Sequence, residues 1–417
     1  MDQQNKASAK QVFWAFLQLG LTSFGGPAAH VGYFRTAFVE RRAWLDESQF
    51  AQLLAVSQFL PGPASSQLGF AIGLHRAGWL GAMAAFLAFT TPSVVLLIVL
   101  AALLPAIDAA WSDPIIHGLK LVAVAVVAHG VLGMAKGLLP DTQRRIIAML
   151  AAIVMLLSAS SLGQMAVILM GAVLGLLLLA HVTVTASSPL KVPVEKFTAK
   201  CLLTLFVVFL MTALLLTTHT EWQTLLASYY RSGALVFGGG HVVMPLLDQA
   251  VVTPGLVTEA EFMAGYGAAQ AVPGPMFSLA AFLGYVQGGV GYALLAVGII
   301  FLPGFLLLGG VLPYWHKLTE QVWAGRLVAG VNAAVVGLLA ATLYDPIATS
   351  ALVQWSDWLI AVLGFSLLQW LRLNPLWVLV LSLGKFIGSS ARTVPRPMPE
   401  GMPHGSCLSY WYTSAIC

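Results

Sequence analysis

Residues 77–107, 146–190, 201–220 and 262–316 contain no Asp, Glu, Lys or Arg. A helix crosses a bilayer with about 20 apolar residues, so these runs hold several crossings. Ionised side chains are costly at the bilayer centre. Only 9% of the 417 residues are charged, against about 25% in soluble chains. The expected fold class is an all-α polytopic membrane protein, with about 10–13 membrane segments at that length per crossing. The net charge of +4 reads as Lys and Arg in cytoplasmic loops, so the expected partner is the lipid bilayer and not nucleic acid. Cys201, Cys407 and Cys417 show no metal or redox spacing. No cofactor, metal or cleaved signal peptide is expected.

One block occurs twice. The first copy has Phe24-Gly25-Gly26-Pro27, then Phe50, then Gln58-Phe59-Leu60-Pro61-Gly62-Pro63. The second has Phe237-Gly238-Gly239-Gly240, then Phe262, then Gln270-Ala271-Val272-Pro273-Gly274-Pro275. Paired Gly/Pro-interrupted apolar segments in two halves of a membrane chain point to a transporter's binding site.

Charge gives the orientation. Arg35, Arg41 and Arg42 follow the first FGG, and His75-Arg76 follows the first PGP. The corresponding second-copy stretch holds Asp248, Glu259 and Glu261 and no basic residue. Basic loops stay cytoplasmic, so the copies face opposite sides. Apolar spans near 79–104, 115–135, 146–157, 165–181 and 201–218 separate them, and an odd number of crossings inverts the second copy. The expected organisation is a first repeat at 1–182, a cytoplasmic linker at 183–200, a second inverted repeat at 201–388 and a disordered tail at 389–417.

Asp46 with Gln49, and Thr258 with Glu261, mark helix starts of the capping-box type. Each helix runs to a Pro-Gly-Pro that a helix cannot continue through smoothly. The segment is either a broken spanning helix or a re-entrant hairpin; basic residues on both sides of the first copy favour the hairpin. The limb after PGP begins with free N–H groups and the positive end of a helix dipole, which suits an oxyanion. Ser65, Ser66 and Gln67 sit in that turn of the first copy, and Ser278 in that of the second. Gln58 and Gln270 lie one turn before the break. The alternative is that PGP only kinks a packed helix. Gly25, Gly26, Gly238 and Gly239 serve either close backbone approach to a ligand or close helix packing.

Arg35, Arg41 and Arg42 read either as an interfacial amphipathic helix or as a basic vestibule that attracts anions. Lys120 either snorkels to the interface or belongs to an anion or proton relay. His30 and His241 lie near the breaks and are candidate coupling groups. No HExxH, GxSxG or P-loop stands out, so no catalytic residue is assigned. An intramembrane lipid-phosphate enzyme and a channel are the competing classes.

FGGPAAH at 24–30, RxxFVERRxWLDExxF at 35–50, QFLPGP at 58–63, FGGG at 237–240 and QAVPGP at 270–275 resemble the signature of the chromate ion transporter family, in its long bidomain form. The resemblance implies a multi-pass protein of the bacterial inner membrane that exports chromate and confers resistance to it. Sulfate, alike in charge and shape, is the implied competitor or alternative substrate, and a homodimer is compatible with the family. The residues alone support an oxyanion at paired helix breaks and do not separate chromate from sulfate.

Overall fold

In the computed structural model the described residues are 8–24, 26–104, 109–157, 161–180, 193–215, 220–236, 243–315, 317 and 321–370. Regular structure among them is helical: α1 Ala9–Thr22, α2 Gly26–Arg35, α3 Glu47–Phe59, α4 Ala64–Leu103, α5 Ala109–Leu138, α6 Thr142–Leu157, α7 Ser161–Leu178 and α8 Lys196–Leu215. Then follow α9 Glu221–Ala234, α10 Val243–Leu247, α11 Glu259–Ala271, α12 Leu279–Val311, α13 Val322–Thr342 and α14 Trp355–Trp370. Five described helical stretches are long and apolar enough to cross a membrane alone: Ala64–Leu103, Ile116–Leu138, Lys196–Leu215, Met276–Tyr314 and Val322–Asp345. The chain is an all-α polytopic membrane protein.

The shorter helices pair into re-entrant hairpins. A helix of 13 residues is about 20 Å long, too short to cross the roughly 30 Å core. α3 has that length, and non-helical φ/ψ at Ala77 and Gly78 cut α4 into arms at 64–76 and 79–103. Were α3 and the first arm of α4 collinear, Trp44 and Arg76 would lie about 45 Å apart. Instead the Arg76 guanidinium sits 5.5 Å from the Trp44 ring, so PGP is the tip of a hairpin that returns to its own side. The second half repeats this. Gly265 of α11 packs on the Phe282 ring of α12, across the Pro273-Gly274-Pro275 tip. A bend at Gly288-Gly289 then cuts α12. Both helix starts carry full capping boxes, at Asp46 with Gln49 and Thr258 with Glu261.

The FGG break of the first half forms a second hairpin. α1 runs to Thr22, and α2 with the π-helical turn Thr36–Arg41 returns beside it. Phe16 of α1 meets Phe34 at 5.5 Å and stacks on Phe38 at 4.8 Å. Aromatic pairs of this kind contribute about 0.5–1.5 kcal/mol beyond area burial. The same spacing recurs beneath each hairpin pair: Gly20 of α1 packs on the Phe89 backbone of α4, and Gly233 of α9 on the Ile300 backbone of α12. Small residues let helix backbones approach where lipid supplies no hydrophobic drive. Gly171 and Gly175 of α7 meet Gly330 of α13 in the same way.

The second arm of α4, then α5, α6, α7 and α8, carry the chain from the first hairpin pair to α9. Residues 196–200 form the first turn of α8. Residues 183–192 of the expected linker and all of 371–417 lie outside the described residues.

Candidate functional site

The hairpin tips of the two halves meet. The amide of Gly62 donates to the Val236 carbonyl at 2.7 Å, and the amide of Gly274 donates to the Ser23 carbonyl at 3.0 Å. Ser23 and Val236 each stand immediately before the FGG of their own half. Gly62 (φ 125°) and Gly274 (φ 111°) hold backbone that favours glycine. Each is also crowded by the other half's long helix. Gly62 lies against Gly304, and Gly274 against Ser93. Those residues follow Pro92 and Pro303, the prolines inside α4 and α12.

Polar atoms are left open where the limb after the first PGP, His30 and the segments packed on the second tip come together. The first intrahelical bond of α4 runs from Gln67 N–H to the Pro63 carbonyl at 2.9 Å. The amides of Ala64, Ser65 and Ser66 precede it and are the orphan donors of a helix start. His30 is fully buried; its Nδ1 lies 3.4 Å from Ser65 Oγ, and its ring is edge-on to Phe89 at 5.2 Å. Ser23 Oγ, His30 Nε2, Ser66 Oγ, Gln67 Oε1 and Thr90 Oγ1 are buried without a hydrogen-bond partner among the described residues. Buried polar groups in folded proteins are nearly always paired, so this concentration is a candidate site for a polar solute. Gln67 Nε2 is committed to the Pro61 and Gly304 carbonyls, both at 3.0 Å.

The second tip is closed on itself. Its first turn is a 3-10 turn, Met276–Ser278, with apolar Met276 and Phe277. Both the amide and the hydroxyl of Ser278 donate to the Pro275 carbonyl, at 3.0 and 2.5 Å. Buried Gln270 contacts Met276 and Tyr266. The two breaks thus share a positive-φ glycine and differ in the first turn that follows and in its chemistry.

The other candidate residues fall as follows. Gly26 opens α2, and Gln58 is exposed on α3. Gly25, Gly238, Gly239 and His241 lie outside the described residues. Arg35 is held by Glu47 at 2.9 and 3.1 Å and also by Glu40. That hydrogen bonding keeps the Glu47 carboxyl below its usual range. Arg41 and Arg42 are exposed and line a groove beside α1. Lys120 is half-buried on α5, next to Leu119, which packs on Gly267 of α11. Sequence reasoning missed Ser23, Thr90, Ser93 and Gly304. A signal did exist for the last two, because Pro92 and Pro303 follow their PGP blocks at nearly the same spacing.

Comparison with known proteins agrees with this duplication. The family model described as Chromate transporter matches residues 10–176 and 223–387. A chromate transport protein of Pseudomonas aeruginosa is 30% identical over 352 residues, covering 81% of each chain. An uncharacterised transporter of Methanocaldococcus jannaschii is 28% identical over 388 residues, covering 92% of this chain and 95% of its own. A chromate transport protein of Cupriavidus metallidurans is 27% identical, covering 79% of this chain and 80% of its own. No solved structure matches the chain.

Proposed function

Since the chain belongs to the chromate transporter family, a family of transporters and not of enzymes, we propose that it is a secondary transporter that exports chromate and confers resistance to it. The observation that carries this reading is the set of buried, unpartnered atoms contributed by the first PGP limb, His30 and the segments that pack on the second tip: Ser23 Oγ, His30 Nε2, Ser66 Oγ and Thr90 Oγ1. With the orphan amides of α4 they form a neutral, donor-rich site. A dianion would be held by hydrogen bonds and a helix dipole, and no fixed cation at the tip would impede its release. Sulfate has the same charge and shape and would compete.

The two halves act as inverted repeats. Their hairpins enter from opposite faces, and rocking of one hairpin pair against the other exposes the site alternately. The division at the segment before α8 follows from that reading. Export of a dianion runs on the inside-negative potential or on proton exchange.

Uptake of labelled chromate into everted membrane vesicles tests this. Energised accumulation that sulfate inhibits is expected. Flux that only follows the chromate gradient would make the protein a channel, and no flux would remove the proposal.

A further inference from the structure

We infer that the groove between α1 and α2, the returning limb of the FGG hairpin, is the substrate's cytoplasmic entry path, and that Lys10, Arg42 and Arg76 form an outer capture site for a tetrahedral oxyanion at its mouth. The inference rests on the transport reading above and adds two residues, Lys10 and Arg76, that lie 66 positions apart in sequence.

Two adjoining cavities define the path. The outer one, of about 620 Å³, is lined by Lys10, Trp14, Arg42, Trp44 and Arg76. The inner one, of about 830 Å³, is lined by Thr22, Ala29, Thr36, Arg41 and Arg42. Gln18 and Arg42 line both, and their side chains are joined by a 3.3 Å hydrogen bond. The lining of the inner cavity includes the chain neighbours of two candidate-site residues. Thr22 precedes Ser23 and Ala29 precedes His30, and both of those residues carry buried unpartnered atoms.

The charge balance of the outer cavity is one-sided. Its described lining holds three cations and no carboxylate. The nearby acids Glu40 and Glu47 are engaged by Arg35. Arg76 is stacked over Trp44, and its Nε is buried without a hydrogen-bond partner among the described residues. Cations fixed against low-dielectric walls raise the local concentration of a counter-ion about 10- to 1000-fold. The same chemistry would suit a phospholipid phosphate. The lining that the two cavities share at Gln18 and Arg42, and the inner lining by Thr22 and Ala29 beside Ser23 and His30 in the chain, favour the dissolved dianion.

The test is chromate uptake by the Lys10→Gln/Arg76→Gln double variant, compared with wild type in vesicles of both orientations. In everted vesicles KM should rise about tenfold with kcat unchanged, the pattern of lost capture, and the dependence of KM on salt should flatten. Uptake from the opposite face should be unaffected, and the Lys10→Arg/Arg76→Lys pair should restore KM. An unchanged KM, or an equal loss from both faces, would overturn the inference. So would a defect seen only in liposomes containing phosphatidylglycerol and absent in phosphatidylcholine, which would make the site a lipid-headgroup site. Wild-type flux judges the transport reading separately. Should wild type move no chromate, equilibrium binding of labelled sulfate to the purified proteins decides: about tenfold weaker binding by the double variant supports the capture site, and equal binding refutes it.

Discussion

The backbone amide of Gly62 donates to the carbonyl of Val236, 2.7 Å away, and this bond has a counterpart from Gly274 to Ser23 at 3.0 Å. Each joins the PGP tip of one half to the FGG shoulder of the other. Reciprocal contacts of this kind are what a two-fold arrangement produces. They also pair two backbone amides that, if buried and left unsatisfied, would each cost about 1–3 kcal/mol.

Gly62→Ala should therefore destabilise the protein and stop transport together. The positive φ alone costs about 1–3 kcal/mol for a residue with a side chain, and an added Cβ would press on Gln67 and Gly304. Gly274→Ala should do the same against Ser93. Thermal unfolding in detergent, measured beside vesicle uptake, checks both. A variant with wild-type stability and flux would show that the tip is not under this constraint.

The two tips should respond differently to loss of their serines. Ser66 Oγ has no partner among the described residues and is free to meet a solute, whereas the Ser278 hydroxyl is consumed by Pro275. Ser66→Ala should raise KM for chromate about tenfold, in keeping with about 1.4 kcal/mol for a lost hydrogen bond. Ser278→Ala should change KM less than twofold. Equal effects at both positions would contradict the asymmetry.

What the sequence made legible were features written locally. Pro61-Gly62-Pro63 and its copy break helices by covalent geometry, and Asp46 and Thr258 cap the helices that lead to them. The structure shows both. The charge difference between Arg35–Arg42 and Asp248–Glu261 is likewise a property of composition. The pairing of Gly62 with Val236 was not legible, because it joins positions far apart and uses backbone atoms that every residue has. The hairpin at the first FGG was hidden for another reason. α1 and α2 meet through Phe16, Phe34 and Phe38, and in an apolar chain such aromatics do not stand out from lipid-facing ones. The neutralisation of Arg35 depends on Glu47, twelve residues on, whose direction the sequence leaves open.

A part-buried hydrogen bond outside the candidate site gives a stability prediction. His117 Nε2 of α5 lies 3.0 Å from Asp357 Oδ1 of α14, and Asp357 is fully buried and accepts the Gln354 amide at 2.8 Å. Asp357→Ala removes a hydrogen-bond partner of His117 and the cap of α14 at once. A loss of about 1–3 kcal/mol is expected, as for leaving a buried polar group without its hydrogen bond. Calorimetry of the purified protein would show it, and a variant melting with wild type would mean that the pair contributes nothing net.

At the mouth of the second hairpin pair, outside the spanning helices, burial pushes the Asp248 carboxyl up from its ordinary value to about 6, aided by the charges of Glu259 and Asp345. Between about pH 4 and 6 the folded state then binds more protons than the unfolded state, so Asp248 lowers stability as pH rises through that window. Asp248→Asn should melt higher than wild type at pH 7.5, and the difference should vanish near pH 4. A gap that does not change with pH, or one of opposite sign, would show that Asp248 is not held this way.

The inverted arrangement is tested most directly by sidedness. In a background with Cys201, Cys407 and Cys417 replaced, single cysteines at Arg42 and at Glu259 would be labelled with a membrane-impermeant maleimide in intact cells and in everted vesicles. The expected result is that position 42 reacts only in everted vesicles and position 259 only in intact cells. Labelling of both positions from one face would place the two hairpin pairs on the same side of the membrane and contradict the account.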